Sequence, residues 1–156
     1  MIKKPPKNSS KRSCYHVAVG LLTRREHSEY EMRNKLKLRD FSEDEIDLTI
    51  DRLLEGNWLN EERFVEALVY SRKNKAYGPL RAINDLQSRG ISDKSLIARY
   101  VEANSSEWFH IIEQYYAKHY AGIAICDIKE KSKRIRHLQA RGFNFEHINS
   151  VLDDTF

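Results

Sequence analysis

A chain of 156 residues, 40% hydrophobic and 32% charged, is wet for a compact globule and suits an array with much surface. No apolar run approaches the roughly 20 residues that span a bilayer, and the basic N-terminus lacks the apolar stretch of a secretory signal. A soluble, cytoplasmic chain is therefore expected. The net charge of +4 is sorted along the sequence. Residues 1–12 are purely basic, residues 40–62 hold nine acids against Arg52 alone, and residues 63–99 are basic again. A dedicated DNA-binder is usually basic throughout, whereas this sorting suits a partner carrying both signs.

A phrase recurs about every fifty residues: LKLRDFSEDEI at 36–46, LQSRGISDKSL at 86–96 and LQARGFNFEHI at 138–148. Such a period marks stacked supersecondary repeats, none able to bury its apolar face alone. In each, Asp40, Gly90 or Gly142 stands where a helix ends in the left-handed conformation, and Ser42, Ser92 or Asn144 stands where the next is capped. Asp tolerates that conformation less well, so the first turn is expected to be strained or altered.

In chain order, the apolar spacing predicts a helix on Cys14/Val17/Ala18/Leu21, a second on Met32/Leu36 and a third on Ile46/Ile50. Ser28 with Glu31 and Ser42 with Glu45 are capping boxes, and Gly56 ends the third helix. The fourth, on Phe64/Ala67/Leu68, is capped by Asn60, with Leu59 stapled onto Phe64. Pro79 opens the fifth, on Leu80/Ile83/Leu86, and the sixth carries Leu96/Tyr100. The last three run on Trp108/Ile111/Ile112/Tyr115, Ile128/Ile135/Leu138 and Ile148/Leu152. No strand signal interrupts them. The prediction is all-α: a basic, disordered tail at 1–12, then three tandem three-helix repeats at 13–58, 59–104 and 105–156, in an elongated, curved array.

No enzyme signature assembles. The six histidines are scattered, no Gly-rich phosphate loop exists, and Cys14 and Cys126 have no metal-ligand spacing and read as reduced thiols. No metal or cofactor is expected. The acids of 43–55 alternate with core positions and read as a solvated face complementing the helix dipole. Two basic clusters stand out: Arg72, Lys73, Lys75 and Arg81 around Tyr77, and Lys129, Lys131, Lys133, Arg134 and Arg136 along the eighth helix. They read either as solvated faces or as partner contacts with phosphates or protein carboxylates. Arg39, Arg89 and Arg141 are expected to cap helix C-termini.

The Leu-x-x-Arg-Gly phrases, LTRREHSEYEM at 22–32, WLNEERF at 58–64 and YGPLR at 77–81 together resemble the bacterial RecX regulatory proteins, modulators of the RecA recombinase. The resemblance covers about residues 13–154. The departures are Asp40 for glycine and a divergent stretch from Lys118 to Ile128. It implies a non-catalytic protein, a monomer, that binds in the groove of the RecA filament on single-stranded DNA. There such a protein bridges protomers, limits filament extension and inhibits ATP hydrolysis, strand exchange and co-protease action, with weak nonspecific DNA contact besides. The expected contacts are Arg72, Lys73, Lys75, Tyr77 and Arg81, with Lys131, Lys133, Arg134 and Arg136. The alternatives are a sequence-specific helical DNA-binding regulator and a helical adaptor for another assembly. An acidic third helix speaks against the first.

Overall fold

The computed structural model describes residues 12–152; the expected basic tail, Arg12 apart, lies outside the described residues, as do 153–156. The described residues hold nine α-helices and no strand. They are α1 (Cys14–Leu22), α2 (Glu29–Lys37), α3 (Glu43–Glu55), α4 (Glu61–Asn74), α5 (Pro79–Ser88), α6 (Lys94–Val101), α7 (Ser106–Tyr120), α8 (Ile128–Ala140) and α9 (Phe145–Leu152). Helices α1–α3 and α4–α6 pack as triplets, and α7 and α8 both pack on α9. The chain forms two compact units, one ending at Asn60 and one beginning at Glu61.

The repeated phrase is a helix stop built the same way three times. Asp40, Gly90 and Gly142 all take positive φ, at 62°, 85° and 91°. The next residue's N–H then reaches back to the phrase's leucine carbonyl: Phe41 to Leu36, Ile91 to Leu86 and Phe143 to Leu138. The three leucines are fully buried, with Ile91 and Phe143 beside them. This is the apolar contact that accompanies a 6→1 helix closure. Asp40 adopts the same turn as the glycines rather than an altered one, at a cost of about 1 kcal/mol.

In the first unit both capping boxes form, with Ser28 accepting from the Glu31 N–H and Ser42 from the Glu45 N–H. The core joins Cys14, Ala18 and Leu21 to Met32, Leu36, Ile46, Ile50 and Leu53. Leu59 also belongs to this core, and Phe64 belongs to the core of the second unit. On α3 the acids face solvent, but not all are unpaired. Arg33 holds Asp47 at 2.6 Å and Lys37 holds Glu43 at 2.8 Å.

The second unit contains two cores that share α7. Trp108, at its start, is buried among Phe64, Leu68, Leu86, Ile97 and Val101, and donates its indole N–H to the Val101 carbonyl at 2.7 Å. Ile112, one turn on, lies instead with Ile125, Leu138, Phe143, Ile148 and Leu152. The predicted single face Trp108/Ile111/Ile112/Tyr115 is therefore divided between the two. Two caps behave as follows: α9 is capped by Asn144, whose side chain accepts from the His147 N–H, while α6 is capped by Asp93, not Ser92. The longer Asp93 side chain accepts from both Ser95 and Leu96. Ala67, Leu80 and Ile128, expected on core faces, are exposed.

Candidate partner-binding site

The basic residues around Tyr77 lie where α4 turns into α5. Helix α4 ends at Asn74, Ala76 takes positive φ (54°), and Gly78 and Pro79 open α5. Against this turn lies the stop after α8. The Gly78 N–H donates to the Arg141 carbonyl at 2.9 Å, and the Leu80 N–H donates to the Gly142 carbonyl at 3.0 Å. A Cβ at either glycine would sit 2.3–2.4 Å from atoms of the other segment, so only glycines permit so close an approach. The Arg141 guanidinium reaches over the joint and donates to the carbonyls of Lys75 and Ala76. It also lies 4.0 Å from the Tyr77 ring centroid and 4.7 Å from that of Tyr115. Arg39 caps its own helix at the Lys35 carbonyl, as expected; Arg141 caps a helix from the neighbouring triplet.

Most of the first predicted cluster serves this joint. Arg72 and Arg81 share the Asp85 carboxylate at 2.5 and 3.3 Å. Partial burial opposes ionisation of Asp85, but the bonds and charge of Arg72, with Arg81, hold its carboxyl below the usual range. Arg81 also lies over the Tyr77 ring, and Tyr77 is half-buried. Lys73 pairs with Glu107 and lies over the Trp108 ring. Lys75 alone of the five is an exposed side chain without an ion pair among the described residues. It shares a groove of about 520 Å³ with Lys118 and His119 of α7. Both lie within the stretch that departs from the repeat pattern, and sequence reasoning missed them.

The second cluster divides differently. Arg134 is 1% exposed and leaves the candidate set. Its guanidinium donates to the Glu130 carboxylate, the Tyr116 hydroxyl and the Ile123 carbonyl. Lys129, Lys133 and Arg136 are exposed and Lys131 is half-buried. On the facing side His137 sits between the hydroxyls of Tyr115 and Tyr120, 2.9 and 2.5 Å from its ring nitrogens. Burial, then the charges of His119 and Arg141, push its pKa down. Among the described residues no group of three His, Cys, Asp or Glu side chains is placed to hold a metal ion.

The fold is an all-α tandem repeat whose second unit holds two cores and presents solvent-facing cations on successive helices. Models of the three RecX three-helix domains match the chain in order, the first over residues 14–53, the second over 60–95 and the third over 109–152. The chain belongs to the RecX family. It is 30% identical over 142 residues to the regulatory protein RecX of Vibrio vulnificus, covering 91% of this chain and 92% of that one. It is 33% identical over 141 residues to the RecX of Actinobacillus pleuropneumoniae serotype 5b, covering 90% and 91%. The crystal structure of RecX from Lactobacillus salivarius shares the fold at a TM-score of 0.73 and 20% identity, over 90% of this chain and 93% of that one. A second RecX crystal structure does so at 0.77 and 17%, over 90% and 71%.

Proposed function

We propose that this chain is a negative regulator of the RecA recombinase, acting as a cytoplasmic monomer of three repeats at 13–58, 59–104 and 105–156. It binds in the groove of the RecA filament on single-stranded DNA, bridges protomers and limits filament extension, and so inhibits ATP hydrolysis, strand exchange and co-protease action. Membership of the RecX family supports the target. The observation that carries the mode of action is the Gly78–Gly142 joint, with its Arg141 clamp. It makes two successive repeats one body with the cations Lys75, Lys118, Lys133 and Arg136 at fixed places. A body of fixed span binds one protomer spacing better than another, and differential affinity is all that is needed to shift a filament's conformational equilibrium. Contact falls to Lys75, Lys118, Lys131, Lys133 and Arg136, while Arg72, Lys73, Tyr77 and Arg81 act by holding the joint.

The test is single-stranded-DNA-dependent ATP hydrolysis by RecA titrated with this chain. Loss of hydrolysis below one-to-one stoichiometry is expected, because a blocked end silences many protomers. Undiminished hydrolysis at a molar excess refutes the reading. Sequence-specific DNA binding is disfavoured because the exposed face of α3 carries Asp44, Asp51 and Glu55, which phosphates repel.

A further inference from the structure

The loop between α7 and α8 is held in place yet presents an apolar side chain to solvent. Ile125 plugs into the core below it. The buried Arg134 guanidinium holds the Ile123 carbonyl at 2.9 Å, and Asp127 accepts from the Glu130 N–H at 2.7 Å as the cap of α8. With its backbone so fixed, the loop leaves the Ile123 side chain 58% exposed. Ile123, Ala124 and Cys126 form one wall of a groove of about 460 Å³, and Lys129 and Lys133 of α8 form the other. The two carboxylates nearby are already engaged, Asp127 by the cap and Glu130 by Arg134 at 3.0 Å. Lys129 and Lys133 have no ion pair among the described residues and face solvent.

We propose that this groove docks a segment of a partner protein in which a carboxylate lies next to an aliphatic side chain. The aliphatic group covers Ile123 and the carboxylate meets Lys129 and Lys133. Resting on the reading above, the partner is the RecA subunit itself rather than the DNA it carries. Charge complementarity sets the acidic character of the segment. The lining favours a protein segment over a nucleic-acid strand, since no aromatic face is present on which a base could stack, while Ile123 and Ala124 offer aliphatic surface. An exposed aliphatic residue on a prefixed backbone loses little conformational freedom when it is covered, which is what a binding anchor requires.

The test measures binding of the full chain to RecA filaments assembled on single-stranded DNA with a slowly hydrolysed ATP analogue, by fluorescence anisotropy. Two variants alter the groove, Ile123→Ser and the charge reversal Lys129→Glu with Lys133→Glu. Ile128→Ser is the control, since Ile128 is 83% exposed and outside the groove. Both groove variants should bind at least about tenfold more weakly, and the control within about twofold of the unaltered chain. Circular dichroism should show unchanged helicity in all three. Groove variants that fold and bind as tightly as the unaltered chain overturn the docking site and leave the regulatory reading standing. An unaltered chain that does not bind filaments overturns both. Binding to DNA alone, or to anionic vesicles, that equals filament binding and is lost on reversing the lysines overturns the protein occupant.

Discussion

Replacing Gly78 by alanine isolates the contact between the α4–α5 turn and the stop after α8. Gly78 has φ −85° and ψ 172°, a backbone conformation open to any residue. The substitution therefore adds no local strain, and by stiffening the unfolded chain it gains about 0.4–1 kcal/mol. Against that, the new methyl group would lie 2.3 Å from the carbonyl carbon and oxygen of Gly142 and 2.4 Å from the Phe143 nitrogen. All three are backbone atoms, so no rotamer change relieves the clash and the two segments must part. Parting exchanges the Gly78 and Leu80 N–H bonds for bonds to water, at about 1 kcal/mol each. It also withdraws the Arg141 guanidinium from the Lys75 and Ala76 carbonyls, at about 1.5–3 kcal/mol for a charged donor. The expected net loss is about 3 kcal/mol, confined to the second unit. Urea unfolding gives the total, and amide hydrogen exchange locates it. The amides of Gly78 and Leu80 should lose protection while those of Ile46 and Ile50 keep theirs. Combined with Arg141→Ala, the effect should be well short of additive, because both changes open the same contact. A Gly78→Ala protein destabilised by less than about 1 kcal/mol, with both amides protected as before, refutes the reasoning.

Trp108→Ala should cost about 3–5 kcal/mol, since it empties a buried indole site and leaves the Val101 carbonyl without its donor; calorimetry of the two proteins measures it. Stability should fall as pH drops below about 6.5, through His147. Its ring is buried against Phe109 and Phe143, and neither nitrogen has a hydrogen-bond partner. Burial lowers its pKa, with Glu146 and the Ala103 backbone opposing, the latter too poorly placed to bond. The unfolded chain therefore takes up the proton first, and stability is full above the unfolded value of 6.5 and is lost below it. Denaturation midpoints measured from pH 7.5 to 5 should slope less steeply in His147→Phe than in the parent. Arg134→Met should destabilise by about 2–4 kcal/mol by leaving Tyr116, Glu130 and the Ile123 carbonyl without a donor, and proteolysis should then cut within 121–127. Reversing Lys75 and Lys118 to Glu should weaken inhibition of RecA with helicity and unfolding midpoint unchanged. Reversing Arg72 and Lys73 should instead lower the midpoint, because both are ion-paired in the fold.

The helix count and the three stops were legible because they rest on local rules. A leucine, a left-handed residue and an apolar residue at fixed spacing close a helix wherever they occur, and Asp40, Gly90 and Gly142 all do so. Ser28 and Ser42 declared their boxes in the same local way. Charge was legible as composition but not as placement. Arg134 and Lys133 are sequence neighbours of one chemical class, yet one is buried under a loop and the other faces water, because 100° of helical rotation separates them. Nothing local distinguishes Arg72, which meets Asp85 thirteen residues on, from Lys75, which meets none. The division of α7 was hidden for a similar reason. Trp108, Ile112 and Tyr115 make one apolar stripe, and a stripe does not say how many neighbours bury it. Gly78 and Gly142 each looked like an ordinary turn glycine until the distance between them was known.

Because α7 lends Trp108 to one hydrophobic interior and Ile112 to the next, the last two triplets cannot be treated as interchangeable beads. Cutting the gene after Val101 would remove the indole that seals the preceding triplet, exposing an oily hole rather than a clean end. Splicing an extra triplet at that seam would require a new helix able to serve both sides. The number of triplets in this stretch is thereby locked by one tryptophan.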